Sequence, residues 1–144
     1  MTIHARCKRS NDEGFTLLEL LVVLAILGLL AAIVAPRVIS YLGSSRSKTA
    51  AIQVKNIAAS LELYRLDAGR YPNGQEGIGA LVKAPPGATA WSGPYLSDKS
   101  ALTDPWGRPY QYVIPGKHGE FDVFTYGADG QEGGSGEDKD VGNW

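Results

Sequence analysis

Hydrophobic and polar positions divide this chain into three zones. Residues 1–13 are polar, with His4, Arg6, Lys8, Arg9, Asp12 and Glu13 among them. From Phe15 the row is apolar almost without a break as far as Ala35, reading FTLLELLVVLAILGLLAAIVA. At about 1.5 Å per residue a helix over this run reaches about 32 Å, which matches a hydrocarbon core of about 30 Å. After Pro36 the pattern turns amphipathic. Ala50, Val54, Ile57, Leu61, Tyr64 and Ala68 recur at spacings of three and four, and Lys48, Lys55, Glu62, Arg65 and Asp67 mostly fall off that face. The spacing predicts one helix to about residue 68, kinked or loosened at Pro36, whose ring removes a helical hydrogen bond. Gly69 and Pro72 are its stop signals.

Downstream the elements are shorter. Residues 74–82 predict a short helix with Ile78, Leu81 and Val82 on its apolar side, and 84–93 a loop rich in Pro and Gly. Residues 110–114 and 121–126 read as strands, joined by a hairpin loop over Pro115-Gly116-Lys117-His118-Gly119. A two-stranded ribbon is marginal alone, so it must lie on the amphipathic helix, with room for a third short strand. The expected class is α+β: a long N-terminal helix, half membrane span and half amphipathic, packed on an antiparallel sheet of two to four strands.

Composition narrows the function. The 144 residues carry a net charge of −1, so no basic field exists to hold nucleic acid. The single cysteine, Cys7, cannot form an intrachain disulfide. The region 37–144 is the size of a small domain, which gains from support by a metal, a partner or the long helix. No Ser/His/Asp set and no paired carboxylates in a defined cleft point to catalysis, and His118 is expected to be exposed in its loop. The aromatic clusters at Trp91, Tyr95 and Trp106 read first as packing for irregular backbone, with a ligand platform as the alternative.

Glu19 is the residue that the apolar run does not explain. A charge in the middle of a bilayer costs about 2.5–3.5 kcal/mol on insertion scales, so it persists only with a partner or a task. A cleaved secretory signal fits poorly, because the run is long and Pro36 follows the only small-residue site. A simple signal anchor leaves Glu19 without a reason. Positive charges do not orient it either, since Arg6, Lys8 and Arg9 before the span balance Arg37, Arg46 and Lys48 after it.

The tail poses a second question. Asp129, Glu132, Glu137, Asp138 and Asp140 put five carboxylates within twelve positions of a glycine-rich stretch. Such a segment is either a disordered acidic tail or a site for a hard cation, whose six to eight oxygen ligands include main-chain carbonyls that glycines let turn inward. The spacing is not that of an EF-hand: Asp140, not a glutamate, stands at the twelfth position from Asp129.

A basic leader ending in Gly14, followed by Phe15-Thr16-Leu17-Leu18-Glu19, resembles the class III signal of type IV pilins and pseudopilins. That resemblance implies a cut between Gly14 and Phe15 by a prepilin peptidase, methylation of the new amine, and an apolar run that stays on the mature protein. Glu19 would then neutralise a neighbouring subunit's amine in the filament core, and the helix between Gly28 and Pro36 would unwind in part on assembly.

The stretch Tyr64-Arg65-Leu66-Asp67-Ala68-Gly69-Arg70-Tyr71-Pro72, with Asp104-Pro105-Trp106-Gly107, Gly127-Ala128-Asp129-Gly130 and the closing Asp140-Val141-Gly142-Asn143-Trp144, resembles the major pseudopilins of type II secretion. This implies a pilin-like fold with a leader 1–14, a transmembrane and polymerisation helix 15–36, and a periplasmic domain 37–144. It also implies one structural calcium in a loop 126–144, with Asp129, Asp140 and Asp138 as side-chain ligands and the carbonyls of Tyr126, Ser135 and Val141 completing the set; Lys139 stands where some relatives carry an acid. The implied function is a non-enzymatic one: a single-pass inner-membrane subunit that polymerises with its own kind and with minor pseudopilins on an inner-membrane assembly platform. The alternatives are a minor pseudopilin, a type IV pilin, or a membrane-anchored calcium-binding recognition module.

Overall fold

A computed structural model describes residues 15–144; the leader 1–14, including Gly14 and Cys7, lies outside them. The chain divides into two compact units, one ending at Val38 and one spanning Ile39–Trp144.

A single helix, α1, runs over Leu17–Ala68, 52 residues. Thr16 and Glu19 open it as a capping box. The Thr16 N–H donates to Glu19 Oε2 at 2.9 Å, and the Glu19 N–H donates to Thr16 Oγ1 at 3.2 Å. The helix is unbroken through Pro36 in the isolated chain, so the loosening expected there is not seen as a break. Gly69 follows the last helical residue with φ 71, the left-handed conformation that ends helices at least cost for a residue without Cβ. Within α1 lies the one segment of the described residues long and apolar enough to cross a membrane. Its 18-residue window has a mean hydropathy of 3.0, and none of it is buried.

In the unit Ile39–Trp144 the expected core stripe is the real one. Ala50, Val54, Ile57, Leu61 and Tyr64 are all fully buried, joined by Ile78, Ala80, Leu81, Tyr110, Phe121 and Val123. Three antiparallel strands form one sheet in the order β1 (Gln111–Val113), β2 (Asp122–Thr125), β3 (Val141–Gly142). Tyr112 pairs with Val123 and Thr125 with Val141, so β2 is the central strand and the most deeply buried. Tyrosine hydroxyls tie the sheet region to its surroundings: Tyr110 donates to Gln53 Oε1 on α1 at 2.6 Å, and Tyr112 to the Pro72 carbonyl at 2.8 Å.

One expectation needs correction and another is met. Residues 74–82 form no α-helix; the segment is a turn followed by a 3-10 helix at Ile78–Leu81, because Gly77 sits at φ 56 and breaks any helical run before it starts. At Trp91 and Tyr95 the aromatics pack irregular backbone, as first expected. Trp91 Nε1 donates to the Ala80 carbonyl at 2.8 Å, Tyr95 donates to Asp67 Oδ2 at 2.8 Å, and the Trp91 and Tyr95 rings meet edge to face at 5.8 Å.

His118 is exposed, as its loop position implied, but it is not idle. Its ring stacks on Trp144 at 3.9 Å, and Nδ1 lies 3.0 Å from Asp122 Oδ2. Burial pushes the Asp122 carboxyl up, yet N–H donation from Lys117 and contacts from the His118 ring and backbone outweigh it and hold it below the usual carboxylate range.

Candidate functional site

Two places carry the residues singled out from the sequence. The first is the start of α1. Phe15 is exposed, and Glu19 sits one turn in, accepting from both the N–H and the hydroxyl of Thr16 through Oε2. Oε1 has no partner among the described residues. The carboxylate that seemed to lack a companion therefore has one in its own chain. The Thr16-x-x-Glu19 spacing carried that signal, but the surrounding leucines disguised it as part of the apolar run.

The second place is the C-terminal loop. Here the chain after β2 folds back on itself through main-chain bonds. The Ala128 N–H donates to the Glu137 carbonyl at 2.8 Å, the Asp138 N–H to the Ser135 carbonyl at 3.2 Å, and the Asp140 N–H to the Gly133 carbonyl at 3.2 Å. Glycine is required at Gly127 (φ 69) and Gly134 (φ 83). A Cβ at Gly127 would stand 2.6 Å from the Glu137 carbonyl oxygen, and one at Gly134 would stand 2.5 Å from that of Asp138.

The loop is clamped from outside by Arg108. Its guanidinium donates to the carbonyls of Gly127 and, at 2.9 Å, Ala128. Arg108 is placed by Asp104, a buried carboxylate that accepts from the Trp106 N–H at 3.0 Å and the Arg108 N–H at 2.8 Å and also takes the Thr125 hydroxyl. A buried acid thus fixes a turn, and the turn aims a cation at loop carbonyls. Sequence reading quoted this motif without finding its role, because Arg108 meets its partners 19 and 20 residues further on.

The candidate calcium ligands are placed unequally. Asp140 is half-buried. Its Oδ2 accepts from the Gly133 N–H at 2.9 Å, while Oδ1 is buried with no partner among the described residues. Asp129 is exposed and accepts from the Gln131 N–H at 3.0 Å. Asp138 and Ser135 are exposed, and Tyr126 and Val141 are half-buried. Among the described residues no three His, Cys, Asp or Glu side chains gather as a metal cluster. The bare, buried oxygen of Asp140 is the feature that suits a cation, since an unpaired buried acceptor otherwise costs about 1–3 kcal/mol or more.

With this geometry in hand, comparison with known proteins decides the relationship. The family described as type II secretion system, protein G, matches residues 37–144, and a prokaryotic N-terminal methylation motif matches residues 9–35. The chain belongs to the type II secretion system protein G family. The core protein G of Pseudomonas aeruginosa is 48% identical over 141 residues, covering 95% of this chain and 98% of the relative. That of Vibrio cholerae is 41% identical over 140 residues, covering 95% and 94%. Among solved structures, the major pseudopilin from the type 2 secretion system of enterohaemorrhagic Escherichia coli superposes with a TM-score of 0.56 at 30% identity, covering 69% of this chain and 87% of the other. The methylation-motif match spans Gly14, Phe15 and Glu19, and the protein G match spans the whole C-terminal loop.

Proposed function

We propose that this chain is the major structural subunit of a type II secretion pseudopilus, and that it acts by polymerising rather than by chemistry. The observation that carries the reading is the protein G match over 37–144 joined to a methylation motif over 9–35 on one chain. Processing by a prepilin peptidase between Gly14 and Phe15 releases an amine four residues from Glu19. The apolar half of α1 holds the unassembled subunit in the inner membrane, with residues 37–144 in the periplasm. Homopolymer growth then takes place with minor pseudopilins at the inner-membrane assembly platform.

In this reading Glu19 does two jobs in sequence. Through Oε2 it caps its own helix, and Oε1 offers a charge to the amine of the next subunit. Buried among apolar helices, an unpaired carboxylate is costly, so the pair fixes the register in which subunits join. Glu19→Ala is expected to leave processing intact and abolish filament recovery in sheared preparations. Normal filament yield from that variant would remove the role assigned to Glu19.

Calcium belongs to the same proposal. The bare Oδ1 of Asp140, with Asp129 and Asp138 and the carbonyls of Tyr126, Ser135 and Val141, would hold it. Arg108 already donates to two carbonyls, those of Gly127 and Ala128 between Tyr126 and Asp129, so the loop reaches this state partly ordered. Bound calcium would offset part of the charge of the five acids and cross-link the last residues to the domain.

A further inference from the structure

The core stripe of α1 does not end at Ala50. Stepping back along the same face by three and then four residues, Ser47 is half-buried and Gly43 buried, whereas Leu42, Ser44, Ser45 and Arg46 around them are exposed. The acidic loop covers Gly43. A Cβ built on this glycine would overlap the Glu137 carboxyl group, at Oε1 and Cδ alike, so the side chain of Glu137 lies in the notch that a glycine leaves on the helix.

Glu137 differs from its neighbours in the loop. From Gln131 to Asp140 every residue except Glu137 and Asp140 is exposed. Glu137 stands in the short 3-10 helix Gly136–Asp138. Its main chain is held on the other side: its carbonyl accepts from the Ala128 N–H at 2.8 Å, beside the Gly127 and Ala128 carbonyls that Arg108 holds. One residue thus joins α1 to the start of the loop. The proposed ligands Ser135 and Asp138 stand on either side of it in the chain.

We propose that Glu137 is a positioning residue for the calcium loop: with its side chain seated against Gly43 and its carbonyl on Ala128, it fixes Ser135 and Asp138 for the metal without touching the metal itself. The inference rests on the calcium reading above and adds to it a residue, and a seat on α1, that the ligand set does not contain. Because such coupling is reciprocal, calcium in the loop also holds the loop against the helix at Gly43. Residues that orient metal ligands carry a large part of a site's affinity, about 10–100-fold where they are removed.

The test is calorimetric titration of calcium into the full-length chain, purified in detergent and stripped of metal. Gly43→Ala, which fills the notch, and Glu137→Ala, which empties it, are each expected to weaken calcium binding by about tenfold or more, and the double variant to bind no more weakly than the weaker single, because both break one contact. Glu137→Gln keeps the length and shape of the side chain and is expected to recover most of the affinity that Glu137→Ala loses. Glu137→Ala adds no atom to the fold, so it carries the test if Gly43→Ala does not fold. Native affinity in Glu137→Ala, losses that add in the double variant, or a loss in Glu137→Gln as large as in Glu137→Ala overturns the anchor and leaves the calcium reading standing. If the native chain takes up no calcium, the calcium reading falls, and the anchor falls with it.

Discussion

At Glu19 and Asp140 the same physical situation recurs: a carboxylate with one oxygen engaged by its own backbone and the other unpaired among the described residues. The engaged oxygens set local geometry. The free ones are available to a cation, an amine in the first case and a metal in the second. For Asp140 the expected consequence is measurable. Chelation of calcium from the purified protein should lower its melting temperature, by the equivalent of about 2.7 kcal/mol when free metal had been a hundredfold above its dissociation constant. Asp140→Asn should melt at the lowered temperature with or without chelator, and an unchanged curve for the native chain on chelation would remove calcium from the loop. Another carboxylate makes a pH prediction. The Arg70 guanidinium grips Glu76 at 2.6 and 2.7 Å and, against a smaller opposing effect of burial, draws its pKa from 4.5 down to about 2. Since the folded value lies below the unfolded one, the pair stabilises fully above pH 4.5 and loses that contribution as pH falls toward about 2. Melting followed across that window should flatten in Glu76→Gln; equal slopes for the two proteins would contradict it. Local spacing made Glu19 and the acidic tail conspicuous in the sequence. Arg108 was not conspicuous, because a lone arginine in a turn shows its partners only once the chain has folded back.

At the scale of the element, α1 was legible along its core face. The stripe from Ala50 to Tyr64 stands out because it is uninterrupted, and it is the core face. The opposite face, with Leu63 and Leu66 exposed on it, gives no comparable signal, because an exposed leucine is individually unremarkable. Two leucines separate the faces cleanly. Leu61→Ala should cost about 2–5 kcal/mol in denaturant unfolding, as fully buried leucines do. Leu63→Ala, two residues on and exposed, should stay within about 0.5 kcal/mol. Comparable losses at both positions would mean that the helix packs its domain differently from the structure. The strands were legible from alternation flanked by turn residues, and each of their ends came out one residue shorter than expected. The third strand, Val141–Gly142, is too short to leave a periodic trace, and its place is set by pairing with Phe124 and Thr125. In the segment 74–82 apolar spacing at Ile78, Leu81 and Val82 suggested a longer helix than the 3-10 helix Ile78–Leu81 that forms, because Gly77 at φ 56 stops it from starting earlier.

For the whole molecule, the arrangement is that of a subunit built to be incomplete. Its first helical half has no cover, and its second half covers itself on one face only. Its acidic loop, pinned by Arg108, holds a buried oxygen with no partner among the described residues. In the proposed account each gap has an occupant: other copies for the helix, and a cation for the loop. The chain belongs to the protein G family and carries a methylation motif over residues 9–35, and the proposed first committed step is a cut within that stretch, between Gly14 and Phe15. Everything in the assembly account follows from the amine made there. The most direct test is the intact mass of the protein isolated from the membranes of cells that carry the secretion machinery. The account predicts a single species lacking residues 1–14 and carrying one added methyl group at Phe15. A full-length mass, or a cut after Ala35 that discards the apolar helix, would contradict it.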